Sequence, residues 1–272
     1  MKVKNGDRSY EVGSAVEVSP EYKLFICTED QTGRQCLLRI GVAVENNGSL
    51  EREAFILKEM EQSAQQFEVE YERVKSSPEK RLNYNLWFPE LVDSFVCHGQ
   101  GGRRINILAF RKVDEVSRMV PLIGITERDH LRVDLRTSAW IMGKLLKFRT
   151  FTHCQGIAVP ATGNNILIEP NEHYVLVFSW LDSRTYESAV PEVVRQKEIS
   201  DSAKAVIVVL GGDPESGLIP NDGDPHLAEY AELLNRFAFG NYSNAEEAHG
   251  VFYDLVDKFW TGFYPFTTHP LT

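Results

Sequence analysis

The stretch from His153 to Trp180 constrains this chain most, because three kinds of local signal follow one another within it. Leu135, Ala139, Met142, Leu145, Leu146 and Phe148 recur at helical spacing and predict a long buried helix over Asp134 to Cys154, ending near Gly156. A turn of small and polar residues follows and closes on Asn164-Asn165. The apolar run Ile166-Leu167-Ile168 with Glu169 predicts a strand, Pro170-Asn171-Glu172 a turn, and Tyr174 to Phe178 a second strand. Helix, loop and hairpin are thus signalled locally, before any other part of the chain is considered.

Upstream the pattern is that of strands. Tyr22 to Cys27 and Gln35 to Ile40 read as a hairpin about the Asp30-Gln31-Thr32-Gly33 turn, and Val92 to Cys97 with Ile105 to Phe110 as another about Gly99 to Gly102. Between them Asn46 to Ser49 breaks the chain. Ser49 is the expected N-cap of a helix from Leu50 toward Gln66, with Leu50, Ala54, Phe55, Leu57 and Met60 on its inner side. Gln62 to Asn85 is polar and either prolongs that helix or forms a mobile insertion. Downstream, an apolar helix is expected over Ser200 to Leu210, a surface loop over Asp213 to Pro225, helices over His226 to Phe239 and Ala245 to Trp260, and a tail over Pro265 to Thr272.

A chain of 272 residues can bury a substantial core, and its net charge of -10 supplies no cationic surface for nucleic acid. Cys27, Cys36, Cys97 and Cys154 are widely separated, without C-x-x-C pairs, which argues for reduced thiols rather than a zinc site or a disulfide framework. His98, His153 and His173 lack ligand spacing with acidic partners, so no metal site is expected, and His153 is read as a packing or hydrogen-bonding residue. The start MKVKNGDRSYEV has no apolar signal region, and no run is long enough to span a membrane; a cytoplasmic protein is expected. G-x-S-x-G, G-x-x-x-x-G-K-[ST], H-E-x-x-H and EF-hand patterns are missing.

The order of these elements resembles the protein-kinase-like fold, where H-R-D-x-x-x-x-N precedes a hairpin and then D-F-G. Aligned on Asn165, Ala158-Val159-Pro160 stands at His-Arg-Asp and Phe178-Ser179-Trp180 at Asp-Phe-Gly. The family's strand lysine corresponds to Arg39 in Cys36-Leu37-Leu38-Arg39, and its three loop glycines to Glu17, Ser19 and Tyr22, with Gly13 unable to restore a G-x-G. Glu53 matches the helix glutamate; it either pairs with Arg39 or faces solvent on a helix rich in Glu and Lys. Ala189-Val190-Pro191-Glu192 resembles the A-P-E segment, whose glutamate pairs with an arginine of the C-terminal helices. Asp201 resembles the buried aspartate that braces the catalytic loop, and it also suits a helix N-terminus.

The resemblance implies an α+β, two-lobed kinase-like fold: an N-lobe over residues 1–113, a small antiparallel β-sheet with one helix, and a mainly helical C-lobe over 114–272. It also implies that the chemistry has gone. Pro160 offers no side-chain acceptor for a substrate proton, and the Phe178 ring cannot ligate a hard cation. The expectation is a pseudokinase, a catalytically inactive domain acting as a protein-binding or regulatory module. ATP and magnesium binding are not expected, and the former nucleotide cleft is expected to be filled by Tyr22, Arg39 and Phe178. Glu53, Asn165, Glu192 and Asp201 would be vestiges of the scaffold, and Trp180, Tyr186, Trp260, Phe263, Tyr264 and Phe266 a candidate partner surface. Two alternatives remain open. One is an atypical phosphotransferase or nucleotidyltransferase using Asn165 with Glu169 or Asp182 for metal, although Glu169, Glu172 and Asp182 read as solvated loop carboxylates. The other is an unrelated α+β binding domain.

Overall fold

The computed structural model describes residues 1–75, 82–221 and 223–271. They form two compact units, Met1–Met119 with Ser179–Asp182, and Val120–Phe178 with Ser183–Thr272. The first boundary lies beyond residue 113 because the turn Val116–Arg118 belongs to the first unit, the Val116 N–H donating to Gln35 Oε1 at 3.1 Å.

The first unit contains strands β1 (Lys2–Asn5), β2 (Arg8–Val18), β3 (Tyr22–Glu29) and β4 (Gln35–Gly41), helix α1 (Asn47–Val74), and strands β5 (Glu90–Cys97) and β6 (Arg103–Ala109). They build an antiparallel sheet in the order β1-β2-β3-β4-β6-β5. Both expected hairpins are present, preceded by the long strand β2, where short strands are expected from Tyr10 onward, and by β1. Because strand side chains alternate, Cys36, Leu38 and Ile40 enter an apolar core with Tyr10, Cys27 and Ile107, while Arg39 is left on the opposite face. Cys27 and Cys36 stand opposite one another as free thiols, and burial pushes them up to about 12 and about 11. The sheet edges are tied by side chains. Asn5 Nδ2 donates to both oxygens of Asp93, at 3.0 and 3.1 Å, and the Tyr10 hydroxyl donates to the same carboxylate at 3.2 Å.

Helix α1 starts at Asn47, so Ser49 lies within its first turn rather than at the cap, and it continues past Gln66 to Val74. Residues 76–81, in the middle of the polar stretch read as a helix extension or insertion, lie outside the described residues. The buried stripe is Leu50, Glu53, Ala54, Ile56, Leu57, Met60 and Ala64. Phe55, expected inside, is 61% exposed, because it sits five residues after Leu50 and therefore on the far side of a 3.6-residue turn.

The second unit runs through β7 (Val120–Pro121), α2 (Gly124–Glu127), β8 (Leu131–Val133), α3 (Leu135–Cys154), β9 (Ile157–Ala158), β10 (Ile166–Glu169), β11 (Tyr174–Val177), β12 (Arg184–Thr185), α4 (Glu192–Val209), α5 (Leu227–Phe239), α6 (Ala245–Phe259) and β13 (Thr268–Pro270). Asp134 caps α3 by accepting the Thr137 N–H at 2.8 Å, and α3 packs against α4 and α6. The predicted hairpin is β10–β11, joined by β7 as a third strand. The expected tail contains β13, which pairs with β8.

At the end of α3, Gly156 has φ +67, and its carbonyl accepts the Tyr186 N–H at 2.8 Å. A Cβ there would lie 2.7 Å from the Tyr186 carbonyl oxygen. Gly156→Ala is expected to lower stability by about 1–2 kcal/mol from the left-handed backbone alone. Urea unfolding checks this, and an unmoved midpoint would show that the loop relaxes without cost.

Candidate functional site

Within the first unit, β4 and α1 bring Arg39 and Glu53 together as an ion pair whose side chains are 0% exposed. The carboxylate gathers further donors. Glu53 Oε1 also accepts the Trp180 N–H at 3.2 Å, and Oε2 accepts from Asn106 Nδ2 at 3.1 Å. Asn106 itself donates to the Leu50 carbonyl at 2.8 Å and accepts from the Ser94 hydroxyl at 2.8 Å. This is the arrangement a buried charge pair needs, since attraction alone rarely offsets the loss of water from both ions. Trp180, read as a surface aromatic, is fully buried, with its ring edge-on to Phe88 at 5.9 Å.

On its other side Arg39 is covered. Its guanidinium carbon lies 4.8 Å from the Tyr22 ring centroid, and the Tyr22 hydroxyl donates to Glu17 Oε1 at 2.8 Å. Burial is the first cause, and that hydrogen bond the second, holding the phenol protonated well above its ordinary range. The link between β2 and β3 is a closed turn. Ser19 N–H donates to the Tyr22 carbonyl at 2.9 Å, while Ser19 Oγ accepts from Tyr22 N–H at 3.0 Å and from Glu21 N–H at 3.3 Å. Three backbone donors of the turn are therefore satisfied inside it. Gly13 is not in this turn. It lies within β2 beside a register shift, where a Cβ would meet the Ile26 carbonyl at 3.2 Å.

In the second unit the segment Ala158-Val159-Pro160 is held by its backbone. Arg149 of α3 donates to the Val159 carbonyl and, at 3.0 Å, to Glu198 Oε1, which also accepts the Val159 N–H. Glu198 Oε2 pairs with His153 Nε2 at 2.7 Å. Arg149 is wholly buried; burial lowers its pKa, and the Glu198 charge opposes that. The brace is thus Glu198, one turn before Asp201. Asp201 lies inside α4, not at its start, and pairs with the exposed Lys197 at 2.5 Å. Asn165 is half-buried and donates from Nδ2 to the Pro160 carbonyl at 2.7 Å, while its own carbonyl accepts the Phe178 N–H at 2.9 Å. Glu169 is 1% exposed rather than solvated, its carboxylate accepting from Glu172 N–H and, at 3.4 Å, from Asn171 Nδ2. Glu192 is exposed at the start of α4 and accepts from Gln196 at 3.2 Å, not from an arginine. Asp182 is exposed. Among the described residues no cluster of three His, Cys, Asp or Glu side chains is placed to hold a metal.

Sequence reasoning missed Asn106 and Glu198. Asn106 left a signal, a polar residue inside the apolar run Ile105 to Phe110.

No family model and no curated protein sequence matches the chain. Among solved structures it is similar to a protein kinase, Rad53 residues 1–466 in complex with AMP-PNP, with a TM-score of 0.62 at 14% identity over 88% of this chain. The fold is kinase-like. The match spans 60% of the Rad53 chain. An antiparallel β unit with one helix and a mainly helical unit follow each other in the order that fold requires. Among the described residues, no helix is long and apolar enough to cross a membrane.

Proposed function

We propose that this kinase-like chain is a pseudokinase: a catalytically inactive domain that binds a protein partner and regulates it. The observation that carries this reading is the enclosure of Arg39. At the position of the phosphate-contacting lysine stands a guanidinium with no solvent exposure, stacked under Tyr22 and bonded to Glu53. A cation that is to meet a nucleotide has to present its charge; pairing with Glu53 does not prevent that, since active kinases keep the equivalent pair, but the Tyr22 ring lying over the guanidinium does. The Ser19 turn supports the same reading, because backbone N–H groups already bonded to the Ser19 hydroxyl and the Tyr22 carbonyl cannot cradle a phosphate. So do Pro160 and Phe178, which lack the acceptor and the carboxylate that phosphoryl transfer uses at those positions.

The proposal of a protein partner rests on apolar side chains left in water. Phe55 on the outer side of α1 is 61% exposed, and Val16 and Val18 of β2 are 55% and 66% exposed.

Calorimetric titration with ATP, with and without magnesium, tests the reading. No saturable magnesium-dependent heat is expected up to millimolar nucleotide. Tight magnesium-dependent binding would count against the reading, and label transfer from nucleotide that Asn165→Ala abolishes would establish the atypical phosphotransferase. The placement of Asn165 and Glu169 gives that alternative no support, since both bond within their own loop and turn.

A further inference from the structure

In the second unit a cavity of about 460 Å³ opens beside α3 and α6, within the usual size of a small-ligand site. Its walls are aromatic: Trp140 from α3, Tyr253 from α6, and Trp260, Phe263 and Tyr264 from the segment that follows α6. The segment is fixed in place. Arg136 donates to the carbonyls of Thr261 and Gly262, and the Tyr264 hydroxyl donates to Asp134 Oδ2 at 2.5 Å. His173, at the β10–β11 turn with φ 48, donates from Nε2 to the Tyr264 carbonyl at 3.0 Å. Its ring stands edge-on to Trp140 at 5.1 Å and to Phe263 at 4.8 Å. Phe263 is nevertheless 81% exposed, an apolar ring held by its neighbours yet left in water.

Two observations select the chemistry of an occupant. The wall already receives a cation on a ring face, since the Arg136 guanidinium carbon lies 4.6 Å from the Tyr264 centroid. That charge is engaged by the ring and by two carbonyls. Asp257 also lines the cavity; it is exposed and makes no hydrogen bond or ion pair with a described residue. Its field reaches the aromatic wall: after burial, the Asp257 charge is the second cause raising the Tyr253 phenol above its ordinary value. Ring faces with a carboxylate beside them favour a cation, and Asp257, the single carboxylate of the lining, is too few for a strongly hydrated metal ion.

We propose that this cavity binds a methylated ammonium group, with Trp140, Trp260 and Phe263 enclosing the methyls and Asp257 balancing the charge. The group is available on small molecules and on methylated lysine side chains, and the two are separable. Choline and a short peptide carrying trimethyllysine are titrated into the full chain, followed by calorimetry and tryptophan fluorescence. Each is compared with a neutral or unmethylated counterpart, 3,3-dimethylbutan-1-ol and the same peptide with plain lysine. At least one methylated probe is expected to saturate and to exceed its counterpart by about tenfold, the worth of a desolvated cation–ring contact. Whichever probe binds more tightly identifies the source. Asp257→Asn, a change at an exposed and unpaired side chain, is expected to weaken binding about tenfold with the fold intact, and Trp140→Ala to do so by a similar factor. The proposal is overturned if neither probe saturates, if the neutral alcohol binds as tightly as choline and the peptides do not differ, or if Asp257→Asn binds like the parent.

Discussion

Glu53→Ala is expected to destabilise the first unit by about 3–5 kcal/mol, the cost of stranding a buried charge whose partner has been removed. The size follows from what is left behind. The Arg39 guanidinium remains fully enclosed, with its carboxylate partner gone, while Asn106 Nδ2 and the Trp180 N–H each lose an acceptor. Water cannot replace that acceptor without opening the contact between α1 and the sheet. Urea unfolding with fluorescence detection is a direct measurement, because Trp180 is buried beside the pair. Glu53→Gln should fall between parent and Glu53→Ala, since it retains an oxygen but no charge. The double change Arg39→Met with Glu53→Leu should recover most of the loss, as well-packed apolar replacements of buried ion pairs commonly do. A loss under about 1 kcal/mol for Glu53→Ala would mean that the pair is solvated, like ordinary surface pairs. The proposed function would then lose its main support, because a solvated Arg39 can present its charge to a ligand.

How much of this was legible follows from the periods involved. The hairpins, α1 and α3 were legible because their apolar residues recur every two or every three to four positions. Glu53 was legible in principle: it lies three residues after Leu50 and four before Leu57, on the buried stripe, although its composition suggests the polar face. Phe55 misled for the opposite reason, being apolar at a solvent-facing position. Strand β1 and the pair β8–β13 were not legible, because they are short and become strands only through partners distant in sequence. The bracing residue was misplaced through a helix boundary. Val193 to Lys197 is largely solvent-facing and shows no apolar period, so α4 seemed to begin near Ser200 and Asp201 seemed to be its cap. Pro191-Glu192 was the missed start signal, a proline followed by an acidic residue in the first turn.

That correction has a large consequence of its own. Glu198→Ala is expected to cost about 3–5 kcal/mol, because it strands the buried Arg149 charge. It also removes the acceptor of the Val159 N–H and the partner of His153. Asp201→Ala is expected to cost no more than about 1 kcal/mol, since its bonded partner is the exposed Lys197 and its charge supports Arg149 only second to Glu198. The two variants sit one helical turn apart on α4, and their helix-propensity changes differ by only roughly a few tenths of a kcal/mol, well below the expected gap. Glu198→Gln separates its two parts. It preserves an oxygen for the Val159 N–H but not the charge opposite Arg149, and should lie between parent and Glu198→Ala. Equal losses for Glu198→Ala and Asp201→Ala would mean that the brace is shared between them. A greater loss for Asp201→Ala would return the role to the residue that the family resemblance first suggested. With Glu198 as the brace, the loop at Val159 is fixed by its backbone and not by the side chain at position 160, so its shape is compatible with the proposed binding role.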